Sequence, residues 1–395
     1  MNYILFGDHA RDHLLPFTFV RPLADIRIGI LTIREKWEHL LQAPTSSLTV
    51  DYLSKKYPLV KEEDNILINS SIFPTMEIIR EIRSLLPNQT LVSGDVLIAH
   101  RLRAEDIDNL DADLLEAVAP LELAATVSRI ACLYDIIEYN RRELISDYHL
   151  ITGGRDSQPV PSHVRAVNPG QIFIEEGAVI ELAVINASEG PVYIGKGAHI
   201  MDEAVVRGPA AIGEGSTVRI AARVYGNTSI GPHCKVGGEI TDSVMFGYSN
   251  KPNDGFLAHS VIGEWCNLAA LTTTSNLRID YDDIRLWDYA VNSFVVTGSQ
   301  FCGTFMGDHT KTGISTMLNT GTVIGVNAQV FGARFMRNFI PSFTRSSQTG
   351  HSVIHVEKAI ETARKVFERR NKTFDEVEEE ILRHVFEQTL AYRKM

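Results

Sequence analysis

From Ile194 to Val236 an aliphatic residue returns at every sixth position: Ile194, Ile200, Val206, Ile212, Val218, Val224, Ile230 and Val236. Four residues after each of the first seven stands a small side chain, namely Ala198, Ala204, Ala210, Ser216, Ala222, Thr228 and Cys234. Gly195, Gly213 and Gly231 recur at a spacing of eighteen. A period of six matches neither the turn of a helix nor the alternation of a strand, so the unit is a short straight run plus a corner. Three such hexads make one coil of a β-solenoid, with the aliphatics inward and the small residues where the chain turns. Coils stack about 4.8 Å apart with their backbone groups paired to the coils above and below. One coil alone buries nothing, so the array forms cooperatively.

The solenoid region spans residues 165–340, and the repeat itself begins near Ile172, with Ile174 and Ile180 as its first inward positions. Its register is interrupted by SVMFGYSNKPNDGFLAHS, resumes at Ile262 and Leu268, is interrupted again by NLRIDYDDIRLWDYAVNSF, and resumes around Met306 to Phe331. Both interruptions are expected to be loops projecting from one edge, where a ligand would be gripped.

Residues 1–155 alternate between strand and helix signals. Tyr3 to Phe6, Asn65 to Asn69 and Thr90 to Ala99 are predicted strands; Ile30 to Leu41 and Thr75 to Leu86 are predicted helices. That alternation predicts an α/β layer with a mainly parallel sheet. A helical connector from Tyr134 to His149 leads to GGRDSQPVPSHV, whose Gly, Ser and Pro place a domain boundary. Residues 341–395 form a helical extension, in which Thr373 and Glu376 make a capping box and Phe374, Val377, Ile381, Val385 and Leu390 recur on one face. A helix there is expected to cover the open end or side of the solenoid, the alternative being a coiled coil with another protein.

The chain has 395 residues, 44% hydrophobic, with a net charge of -11 and no basic cluster, which argues against nucleic acid or an anionic membrane as partner. Cys132, Cys234, Cys266 and Cys302 lack CxxC spacing and read as reduced packing residues, with neither a disulfide nor structural zinc expected. The N-terminus has no signal-peptide pattern and no stretch approaches a membrane span, so a cytoplasmic protein is expected.

The segment KPNDGFLAHSVIGEWCNLAALTTTSN, Lys251 to Asn276, carries the most specific motif. Its Ile262-Gly263 pair, with Asn267 four residues on and Asn276 nine beyond that, resembles the acyltransferase domain of the bifunctional enzymes that acetylate glucosamine-1-phosphate and then uridylylate it. The resemblance implies a left-handed parallel β-helix, acetyl-CoA as acyl donor, and a homotrimer with acyl-CoA in the groove between subunits. It also implies that Lys251, Asn267 and Asn276 hold substrate and that Ala270 lines the acyl-CoA cleft. The family's catalytic histidine falls on Asn253, whose amide cannot accept a proton as a general base does. His259, six residues later, is the nearest replacement, or an ordinary edge residue. The later segment MGDHTKTGISTMLNTGTVIG is similar to the coil that lines the acyl-CoA cleft in sugar-phosphate acetyltransferases, which assigns Lys311, Thr312 and Gly313 to that cleft. The alternative is one more coil with a surface lysine.

The first domain resembles the sugar nucleotidyltransferases. Their glycine-rich phosphate loop corresponds to LFGDHARDHLLPFTFVRPL, which keeps Gly7, Arg11 and Arg21-Pro22 as nucleotide-binding candidates but lacks the other glycines. The family's magnesium-binding aspartate falls on Asn69, Ser70 and Ser71, and Asp95 is the remaining metal candidate, so magnesium is implied only if this domain is active. The domain is diverged and short. His199, His233, His259 and His309 do not supply the close pair used by the zinc-binding solenoids of γ-class carbonic anhydrases.

Three readings follow. The first is a trimeric acyl-CoA-dependent N-acetyltransferase acting on an amino-sugar phosphate or nucleotide sugar. The second is a sugar-1-phosphate nucleotidyltransferase using UTP or dTTP. The third is a decayed nucleotide-sugar-binding scaffold, for which Asn253 and Asn69 speak.

Overall fold

The computed structural model describes residues 1–107, 120–124, 127–332, 335–347 and 350–394. The chain forms two compact units. The first holds residues 1–14, 21–26 and 31–132, and the second holds 15–20, 27–30 and 133–395.

The first unit is built on six strands: β1 (Asn2–Phe6), β2 (Thr45–Leu48), β3 (Asp64–Asn69), β4 (Thr90–Ser93), β5 (Val96–Arg103) and β6 (Leu121–Glu122). They lie in the order β2-β1-β3-β5-β4-β6. Neighbours β2/β1, β1/β3 and β4/β6 run parallel, while β5 is antiparallel to both β3 and β4. The expected single strand from Thr90 to Ala99 is therefore a hairpin. Gly94 takes φ 55 at the first position of its two-residue turn, a conformation glycine adopts without a steric penalty. Helices Ile33–Leu41 and Met76–Ser84 pack their apolar faces on the sheet. The first is closed by a capping box between Thr32 and Glu35, and Thr75 caps the second through Ile78 N.

The second unit is a parallel β-solenoid. Its longest face is a sheet of nine strands running from Ile172–Ile174 to Phe339–Ile340. Register partners Val192, Ala210 and Thr228 lie eighteen residues apart. The inward aliphatics from Ile194 to Val236 are all at most 1% exposed. The small residues that follow them are as deeply buried, and two of them do more than fit. Ser216 Oγ donates to Gly231 O at 2.7 Å and accepts from Cys234 N at 2.8 Å, which satisfies polar groups inside the core.

The two interruptions in the repeat differ in kind. Residues 243–260 are not an excursion, because Val244–Met245, Asn250–Lys251 and Phe256–Ala258 stack on the coil below. Ile230 pairs with Met245 only fifteen residues on, because the chain loses two residues at the corner between Val236 and Ile240 and one between Ile240 and Met245. The second interruption is a true insertion. Ile262 pairs with Met306, and between them Arg285–Asp288 and Ser293–Val296 form an antiparallel hairpin.

Solenoid corners place residues in the left-handed region, and His259 (φ 46), Trp265 (φ 61) and Leu271 (φ 61) occupy three corners of successive hexads. Each non-glycine residue there costs roughly 1–2 kcal/mol, which the surrounding stack must offset. At the Trp265 corner part of the offset is visible. Tyr248 stacks on Trp265 at 4.3 Å, and Phe367 from the C-terminal helix Val356–Glu368 covers Trp265 at 3.9 Å. The C-terminal helices thus lie along the side of the solenoid. A hairpin of Thr344–Ser347 and Gly350–Val353, unforeseen in the sequence, closes its last coil. Helix Glu376–Gln388 is capped by Asp375, whose carboxylate reaches Glu378 N at 3.0 Å, two residues later than the Thr373 and Glu376 box predicts.

Candidate functional sites

In the first unit the sequence candidates converge at the carboxyl ends of parallel strands, where open α/β sheets take ligands. A cavity of about 250 Å³ there is lined by Phe6, Gly7, Arg11, Leu48 and Ser70, among others. Arg11 donates to the Tyr52 hydroxyl at 3.0 Å and pairs with Asp12 at 2.8 Å. Arg21 is 4% exposed, so its guanidinium lies in the interior.

Asp8, missed in the sequence although it stands two residues after β1 in FGDH, is the centre of the polar cluster beside Asn69. Its carboxylate accepts from Asn69 Nδ2 at 2.9 Å, from Ser71 Oγ at 3.1 Å, from Ala10 N at 3.0 Å and from Arg129 Nη1 at 3.1 Å. A lone carboxylate already neutralised by a guanidinium does not fit magnesium, which needs oxygen ligands of its own. Asp95 sits in the exposed hairpin turn. Among the described residues no group of three His, Cys, Asp or Glu side chains is placed to hold a metal ion.

In the solenoid the candidates separate onto two corners of the coil. Asn253 is exposed at one corner, and Leu271 and Ser315 continue that corner in the coils above, with Leu271 N donating to Asp254 O and Ser315 N to Ala270 O. Asn267 and Lys311 are stacked neighbours on the adjoining face, bridged backbone to backbone. Burial lowers the Lys311 pKa, and its ammonium donates to His309 O at 2.8 Å. Thr312 faces inward, its hydroxyl occupied by Ala269 N and Thr272 Oγ1. A Cβ on Gly313 would come within 2.7 Å of Phe331 Cβ, so packing alone demands the glycine.

Lys251 has a structural task. At 1% exposure it donates to the carbonyls of Gly237, Asn253 and Gly255, each at 3.0 Å, and so ties the corner loop together with every N–H it has. Burial pushes its pKa down to about 8.

His259 occupies the next corner and meets Asn276, with Nδ1 3.1 Å from Asn276 Nδ2 and Phe301 stacked on the ring at 5.2 Å. The contact serves both tautomers, since an amide turned over presents Oδ1 in place of Nδ2. With Oδ1 accepting from Nδ1–H, the lone pair is left on Nε2, as a base requires. Burial lowers the His259 pKa against the opposing charge of Asp242, so the ring is neutral at pH 7. Asn276 stands between Ser275 and Leu277, and both of these line a cavity of about 830 Å³. Its walls come from the insertion hairpin, residues 335–344, His351 and the C-terminal turn. No sequence pattern marks it, because the lining is contributed by segments far apart in the chain.

Comparison with known proteins agrees with both units. The sugar nucleotidyl transferase family matches residues 3–156. "Uncharacterized acetyltransferase YaiX" of Escherichia coli is 33% identical over 170 residues, which are 42% of this chain and 73% of that protein. A "Bifunctional sugar-1-phosphate nucleotidylyltransferase/acetyltransferase" of Sulfurisphaera tokodaii is 30% identical over 93 residues, 24% of this chain and 23% of that one. "Bifunctional protein GlmU" of Methanocaldococcus jannaschii is 30% identical over 92 residues, 23% of this chain and 22% of that one. The match thus spans less than a quarter of either bifunctional relative. No described helix is long and apolar enough to cross a membrane.

Proposed function

We propose that this chain, which belongs to the family of the acetyltransferase YaiX and carries a sugar nucleotidyl transferase match over residues 3–156, uses its solenoid to transfer the acetyl group of acetyl-CoA to the amine of an amino-sugar phosphate or nucleotide sugar, with His259 as the base. The observation that carries this reading is the contact of a neutral, half-buried His259 with Asn276 beside the 830 Å³ cavity.

In the reaction the sugar amine attacks the thioester carbonyl and His259 Nε2 takes the proton that nitrogen sheds. Collapse of the tetrahedral intermediate breaks the C–S bond, and the leaving thiolate takes the proton back from the imidazolium. Atoms balance as amide plus CoA thiol. With its amide turned so that Oδ1 accepts from Nδ1–H, Asn276 leaves Nε2 free as the base and is a positioning residue. Asn267, Ala270, Lys311 and Gly313 belong to a different corner and face of the same chain, and a homotrimer would bring that surface of one copy toward His259 of another. A cytoplasmic setting, where acetyl-CoA is available, is part of the same reading.

The first unit supports nucleotide contact at Gly7 and Arg11, but its donor set does not support magnesium, so no nucleotidyl transfer step is derived for it. The test is release of CoA thiol from acetyl-CoA over a panel of amino-sugar phosphates and nucleotide-linked amino sugars. Turnover that His259→Asn abolishes supports the reading, and no thiol release with any acceptor overturns it.

A further inference from the structure

The 830 Å³ cavity has a chemistry of its own. Arg278, Arg285, Arg337 and Arg393 line it against one carboxylate, Asp280, which is already held by Arg278 at 2.7 Å. In a chain of net charge -11 this is a local excess of positive charge. Its apolar wall is flat: Trp287 stacks on Phe339 at 4.3 Å and 13°, and Phe335 stands 58% exposed at the rim. Asn319, Thr320 and Asn338 add amide and hydroxyl groups to the lining. Positive charge for phosphates, the exposed Phe335 ring for a base and amides for ring edges together describe a nucleoside diphosphate.

We infer that this cavity holds the nucleoside diphosphate of the acetyl acceptor, so that the amine acetylated by the solenoid sits on a nucleotide-linked sugar and not on a sugar monophosphate. The inference rests on the proposed transferase reading, because the sugar end must reach His259. Ser275 and Leu277, the chain neighbours of Asn276, line the cavity, while Asn276 itself turns to His259, so the acceptor must extend past this segment to reach the base. The same nucleotide chemistry is also carried by CoA, so the source of the ligand must be separated by experiment.

Binding is measured by calorimetry with UDP, UDP-N-acetylglucosamine, CoA and glucosamine-1-phosphate, on the intact chain, on Phe335→Ala and on Arg337→Ala. Both side chains are exposed at the rim, so folding is not at stake. The expected result is UDP and UDP-sugar binding that falls at least tenfold in each variant, with CoA affinity unchanged. Loss confined to CoA would make the cavity the donor's and overturn the inference, as would UDP affinity equal in all three proteins or absent. His259→Asn separates the two levels of the account. If it loses acetyl transfer but keeps UDP binding, both stand. If transfer occurs on glucosamine-1-phosphate and UDP does not bind, the transferase reading survives and this inference fails.

Discussion

Replacing Lys251 with methionine tests whether this lysine is a structural cation or a substrate ligand. Its ammonium, 1% exposed, spends its three donors on the carbonyls of Gly237, Asn253 and Gly255. Burial brings its pKa from 10.5 to about 8, which is worth about 3 kcal/mol. The sign follows from proton counting. Below pH 8 the lysine is charged in both states and the native state bears the whole cost. Between pH 8 and 10.5 the unfolded chain still holds a proton that the native chain has released, so stability rises with pH, and above 10.5 the cost is gone. Methionine removes the titration but leaves three carbonyls short of a donor, a loss of about 1–3 kcal/mol. At neutral pH the two effects nearly cancel, so the informative quantity is the wild-type minus Lys251→Met difference as a function of pH. Urea unfolding at about pH 7 and about pH 10.5 should show that difference moving in favour of the wild type by about 3 kcal/mol. A difference that stays flat refutes the buried-cation argument. Loss of acetyl transfer in a folded Lys251→Met protein would return this residue to the substrate.

Other consequences are equally specific. His259→Asn should lower kcat by about 10²–10⁴, and because burial depresses the His259 pKa, the acid limb of the wild-type pH–rate profile should lie below pH 6.5. A limb centred above that value would contradict the assignment. Ser216→Ala leaves Cys234 N buried without its acceptor and should cost about 1–3 kcal/mol in thermal or urea unfolding. Phe367→Ala removes the ring on Trp265 and should cost about 3 kcal/mol or more, seen as faster amide exchange across Val356–Gln388 with little change in coils preceding Tyr248.

The repeat was legible because every hexad puts an aliphatic side chain inward, and one period fixes fold, register and core together. It ceased to be legible where the physics left the period. The coil after Ile230 lost residues at two corners, and the aromatic Tyr248 took a left-handed position usually signalled by glycine or asparagine. A regular coil therefore looked like a loop. Strand β2, Thr45–Leu48, was invisible because TSSL is mostly polar and takes its place through pairing with β1. His259 and Asn276 were both visible as candidates seventeen residues apart, about one coil of the stack, whereas the ring of Phe301 on the imidazole comes from the far end of the insertion. The setting of Lys251 was not legible, since a lysine in a motif-rich loop reads as an anion receptor and its three carbonyl partners come from separate turns of the chain. The large cavity had no local signature at all.

The most direct test of the central claim is mass spectrometry of products formed from carbon-13-labelled acetyl-CoA and amino-sugar acceptors, with and without the nucleotide, by the intact chain and by His259→Asn. The account predicts a labelled amide on the sugar nitrogen that disappears in His259→Asn. Undiminished product from His259→Asn, or no labelled sugar from the intact chain with any acceptor, would contradict it.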